Sequence, residues 1–135
     1  MKKNYSVIFI ILIFFLASCR KDRGPYIVEP APGATVAQLC FAKEIQPIFD
    51  ANCITCHDEN HPFLNLKAPQ SWYELYVTGT HAPYIDTLHP TQSLLYLRIT
   101  TDSIGAGRMP LGGTPLTLST TNKILKWIEQ GAKNN

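Results

Sequence analysis

The pentapeptide Cys53-Ile54-Thr55-Cys56-His57 constrains this chain more than any other feature. On a helical turn, positions i, i+3 and i+4 fall on one face. Two thiols and an imidazole therefore project together from a single turn. The residues around the motif, 40–135, suffice for one domain with a small core. Such a core gains from any apolar group that side chains fix inside it. A fold built here presents those three side chains together.

The C-x-x-C-H spacing is the signature of covalent haem attachment. Each thiol can add across one haem vinyl group, and the adjacent histidine then reaches the iron from the same side. Tethering fixes the ring, so a small protein holds it without enclosing it. Two rivals are a thiol redox pair and a zinc site. A thioredoxin-like pair belongs in a βαβ pattern, which is not visible here. Zinc could draw on Cys53, Cys56, His57 and Cys40, but zinc sites usually add a second ligand couplet, which the sequence lacks. Cys40 otherwise reads as a small apolar thiol at the domain start, with an intermolecular disulfide still open.

A six-coordinate iron needs a ligand opposite His57. Methionine sulfur raises the potential of such an iron. Apart from Met1 the sequence holds one methionine, Met109, in Arg108-Met109-Pro110 within a Gly- and Pro-rich loop. That loop lies far enough beyond His57 to wrap to the distal face, and the following proline restricts the backbone. His61, His81 and His89 are the competing ligands, of which His61 stands too close to His57 in the chain to reach the other side. Arg108 can fork onto a haem propionate. Trp127 reads first as packing, with an indole hydrogen bond to a propionate as its second reading. No acid–base pair or activated nucleophile is visible, so the chain reads as an electron carrier and not as an enzyme.

The first residues belong to export. Lys2 and Lys3 precede an apolar run from Val7 to Ala17. The run is shorter than the roughly 20 residues a bilayer span needs, and it matches the core of a signal peptide, with an uncleaved N-terminal anchor helix as the alternative. Leu16-Ala17-Ser18-Cys19 resembles the lipobox of bacterial lipoproteins. The resemblance implies cleavage of residues 1–18 and lipidation of Cys19. Several acyl chains anchor stably where one is marginal. Residues 19–39 hold three prolines and two glycines and read as a lipid-anchored flexible linker. Cleavage would take Lys2 and Lys3 from twelve basic residues and none of the ten acidic ones, leaving zero formal charge. With no basic stripe, nothing points to nucleic acid.

The pattern beyond residue 40 is helical with long loops. Ile45, Ile48 and Phe49 share a face, with Pro47 in a first turn and the helix running straight into the motif. Ser71 is a candidate cap for Trp72–Val77. Thr91 or Ser93 starts a third helix containing Leu94, Leu95, Leu97 and Ile99. Ser119 caps a last one, with Ile124, Leu125 and Ile128 inward and Gly131 as its stop. Phe49 and Tyr96 read as core. Residues 78–90 and 105–115 are turn-rich.

These pieces resemble the small single-domain bacterial cytochromes c, in particular the planctomycete-type cytochrome c domain found in exported lipoproteins. The resemblance rests on Ile45-Gln46-Pro47-Ile48-Phe49, the haem motif, Leu64-Asn65-Leu66 and Ser93-Leu94-Leu95-Tyr96 with Arg98-Ile99. It continues through Arg108-Met109-Pro110 and the run Lys126 to Ala132. Only the haem motif and the methionine loop are specific. Where such proteins often carry Pro-Gly, this chain has His89-Pro90, and its last helix lacks acidic residues after the cap. The resemblance implies an all-α fold, a compact domain of about four short helices and long loops around one haem c. His57 would be its proximal ligand, Met109 its distal ligand, and Cys53 and Cys56 its thioether links. It implies electron transfer with transiently docking redox proteins, outside the cytoplasm on a bacterial membrane. Two alternatives stand beside it. One is a haem module with an open sixth site for catalysis or for sensing peroxide or gas. The other is a zinc-binding lipoprotein without haem.

Overall fold

Pro47 sets where the first helix can begin, because a residue without an N–H is tolerated only in a first turn. In the computed structural model, which describes residues 37–135 apart from 104 and 106, α1 spans Gln46–Asn52 with Pro47 in its opening turn. A wider π-helical turn, Phe41–Ile45, leads into it. The second helix, α2, is Ser71–Tyr73 and widens into a π-helical turn, Glu74–Thr78. A single 3₁₀ turn, Pro90–Gln92, precedes α3, Leu94–Thr100. The longest helix, α4, is Leu118–Glu129. The result is a compact all-α domain of four helices, with no strand among the described residues. No helix among them is long and apolar enough to cross a membrane. Residues 1–18, expected to be a signal peptide, Cys19, the expected lipidation site, and most of the expected linker (19–39) lie outside the described residues.

The core forms where α4 packs on α3 and on the Phe41–Ile45 turn. Ile45, Phe49, Leu75, Ile124, Trp127 and Ile128 are almost wholly buried. Phe41 joins them, its ring centroid 5.2 Å from Trp127 and 6.2 Å, edge-on, from Phe49. Leu125, expected inward, is only half-buried, and Trp127 takes that inner face with Ile124 and Ile128. Tyr96 packs against the core from a partly buried position.

Serine placement departs from the sequence reading. Ser71 lies inside α2, fully buried, and donates its hydroxyl to Gln46 Oε1. Gln46 Nε2 donates to the Leu66 carbonyl (3.0 Å) and to Asp50 (2.8 Å), so one buried amide joins α1, α2 and the 66 loop. Burying that amide is tolerable because every polar atom is bonded. Ser93 occupies the cap position of α3, but its hydroxyl accepts from Asp86 N–H (2.8 Å) and donates to the Asp86 carbonyl. Thr117, not Ser119, caps α4 by accepting from Thr120 N–H (3.2 Å).

The end of α4 matches expectation. Gly131 has φ +91°, its N–H donates to the Ile128 carbonyl, and Ala132 N–H donates to the Trp127 carbonyl. This paired closure needs a left-handed residue, which glycine adopts without strain. Ala132 and Lys133 then offer their carbonyls to the Trp72 and Trp127 indoles at 2.9 and 3.0 Å. Gln130 bonds Leu39 N–H and the Ala37 carbonyl, and Asn135 accepts from Cys40 Sγ, Phe41 N–H and Ala42 N–H. Ala37 and Leu39, expected in the linker, are thus stitched to the last helix.

Candidate functional site

The first helix stops one residue before the motif. Cys53 N–H still donates to the Phe49 carbonyl (2.8 Å), but Cys53 has φ −124° and leaves the helical path. A separate turn follows, in which Cys56 and His57 N–H both donate to the Cys53 carbonyl at 3.1 and 2.9 Å. The helix therefore does not run unbroken through the motif, as the apolar spacing predicts, yet the turn keeps i, i+3 and i+4 together. Leu66 N–H closes the loop beyond it on the His57 carbonyl (2.8 Å).

Cys53, Cys56 and His57 line one cavity of about 550 Å³. Its walls are largely apolar. Leu64 and Leu66 come from the loop after the motif, and Leu94, Leu95 and Ile99 come from α3. Met109, Leu111 and Leu116 come from the segment between α3 and α4. Met109 N–H donates to the Arg98 carbonyl at 2.7 Å, which ties its loop to the end of α3. The four residues expected to hold a haem thus share one cavity.

His57 is held through its other nitrogen. Nδ1 lies 3.1 Å from the Leu64 carbonyl, to which Nδ1–H donates. That bond fixes the tautomer and leaves Nε2 with its lone pair. Burial first, and after it the electrostatic influence of the neighbouring His61 and Arg98, lowers the His57 pKa against the raising effect of the Leu64 bond. The neutral imidazole, which is the ligating form, is favoured. Burial also pushes the Cys53 thiol up to about 11. A thiol so held is a neutral S–H at physiological pH, unlike the lowered thiols of reactive redox pairs. The site presents two thiols and one imidazole lone pair to a largely apolar cavity.

Other candidates separate. His81 lines the cavity, and so does His61. His89 does not; its Nδ1 pairs with Asp86 at 3.1 Å. Arg108 is also outside the lining and faces Asp102 at 3.5 Å. Trp127 is 1 % exposed with its indole N–H on the Lys133 carbonyl, away from the lining. Cys40 sits on Asn135, and among the described residues no three His, Cys, Asp or Glu side chains gather as a metal site.

Arg98 figures in the sequence only as part of the resemblance, with no role at the site. It lines the cavity beside Leu94, Leu95 and Ile99. The signal was present, since 94, 95, 98 and 99 share one helical face. Gly105, at φ +59°, makes room for it: a Cβ there would collide with the Arg98 guanidinium. The chain matches no family model, no curated protein and no solved structure.

Proposed function

We propose that residues 40–135 form a monohaem c-type cytochrome domain, of the small single-domain bacterial kind, that transfers electrons outside the cytoplasm. One observation carries the reading. Cys53, Cys56, His57 and Met109, picked out by motif and residue type, line the same largely apolar cavity. Its volume, about 550 Å³, lies within the roughly 300–1,000 Å³ of cofactor sites. The donor set fits haem c. Cys53 and Cys56 would hold the group by thioethers, and His57 and Met109 would ligate its iron.

When bound, haem c supplies a one-electron ferric–ferrous couple, whose potential a His/Met pair raises. The residues of this chain prepare for it. The Leu64 carbonyl orients His57 and strengthens it as a donor. Leu64, Leu95 and Ile99 supply apolar wall. Arg98 brings a cation to the cavity wall and is a better candidate than Arg108 or Trp127 to meet a propionate. Partners are redox proteins that dock transiently through small interfaces. The lipobox-like Leu16-Ala17-Ser18-Cys19 supports a lipid anchor on Cys19 facing the periplasm or the cell surface.

The test is direct. The full chain, produced in a bacterium that attaches haem c, should yield a red protein whose haem stain survives a denaturing gel. Cys53 and Cys56 should then resist alkylation, and Cys53→Ala with Cys56→Ala should abolish the stain. A colourless mature protein with both thiols open to alkylation overturns the proposal.

A further inference from the structure

His61 stands four residues after His57, and its half-buried ring lines the same cavity. The two imidazole centroids are 4.2 Å apart with 39° between planes. At that distance the faces are in van der Waals contact, so neither ring turns without moving the other. The Nδ1 atom of His61 accepts two backbone N–H groups, from Phe63 at 3.3 Å and Leu64 at 3.2 Å. Leu64 is also the residue whose carbonyl takes Nδ1–H of His57. One peptide segment is thus gripped by both histidines, and its placement sets the acceptor for His57. The backbone of His61 is itself fixed, because its N–H donates to the Asp58 carbonyl at 3.1 Å.

We infer that His61 is a positioning residue for His57. Its Nδ1 holds the Phe63 and Leu64 amides so that the Leu64 carbonyl meets His57, and its ring face limits rotation of the His57 imidazole. The consequence for iron rests on the haem reading above; the positioning itself does not. Two N–H groups share one acceptor at distances beyond the usual ~2.9–3.0 Å, so the grip has the strength of about one ordinary hydrogen bond.

Two variants of the full chain separate the two contributions. His61→Phe keeps a ring and removes the acceptor. His61→Asn keeps an acceptor near the Nδ1 position and removes the ring. In His61→Phe, amide hydrogen exchange at Phe63 and Leu64 should quicken about 3- to 10-fold, the loss of one such bond. The potential should also rise, since a weaker Nδ1–H···O bond makes His57 a poorer donor. In His61→Asn the two amides should stay protected. The hyperfine-shifted haem-methyl pattern of the ferric protein, which reports the imidazole plane, should change. Leu64 exchange unaltered in His61→Phe overturns the inference, and so does equal loss of protection in both variants. A parent chain without haem would sink the preceding proposal instead, and amide exchange would still decide the role of His61.

Discussion

Replacing Trp127 with Phe separates packing from cofactor contact. The indole is 1 % exposed, lies 5.2 Å from the Phe41 ring and donates to the Lys133 carbonyl at 3.0 Å. Lys133 is exposed, so water can reach its carbonyl once the donor is gone. The hydrogen bond then costs near its net worth, about 1 kcal/mol. The smaller ring leaves about 40 Å³ unfilled, which at ~24 cal/mol per Å³ costs about another 1 kcal/mol. Together the loss is about 2 kcal/mol, or roughly 8–16 °C in Tm for a domain of this size. Thermal and urea unfolding followed by far-UV circular dichroism should show that loss, while the haem spectrum and potential stay unchanged. A shifted potential at unchanged stability would refute the reasoning, because the indole would then be touching the cofactor.

Three further outcomes are expected. Met109→Ala should retain covalent haem, lose the sulfur–iron charge-transfer band and lower the potential; an unchanged spectrum would assign the sixth site to another side chain, with His81 on the same cavity wall. Gly131→Ala should lower stability by about 1–2 kcal/mol through backbone strain alone, since φ is +91° and no atom lies within 4 Å of the added Cβ; an unmoved urea midpoint would contradict this. In the haem-free chain the Cys53 thiol rises from its ordinary value of 9.0 to about 11. Folding favours its protonated form, so this contribution is complete below pH 9.0 and is lost as pH rises toward 11. Stability of the Cys53→Ala chain should lack that alkaline fall, and equal alkaline profiles would count against the burial argument.

The parts of the site legible in the sequence were those fixed by covalent spacing. Cys53, Cys56 and His57 lie within one turn, and no distant contact is needed to bring them together. Gly131 was equally legible, because a left-handed closure admits few residues. Cap positions were less so. Ser71 looks like a cap from local pattern alone, but its hydroxyl has a buried partner in Gln46, 25 positions away. Thr117 displaced Ser119 because the chain enters α4 two residues earlier than the apolar spacing suggests. Arg108 drew attention by standing next to Met109, whereas Arg98 reaches the cavity because its helix lays that face along the wall. The grip of His61 on Leu64 depends on the path of a loop, which no periodicity encodes.

The stitching of Gln130 and Asn135 to residues 37–42 has a mechanical consequence. The segments at residues 37–42 and 130–135 share one seam, and none of the seam residues borders the cavity. Tension arriving along the chain at residue 37 would load Gln130's two bonds and Asn135's three, together with the Lys133–Gln38 contact. A tug from a tethered end would be taken up at that seam, leaving the thiols, His57 and Met109 undisturbed.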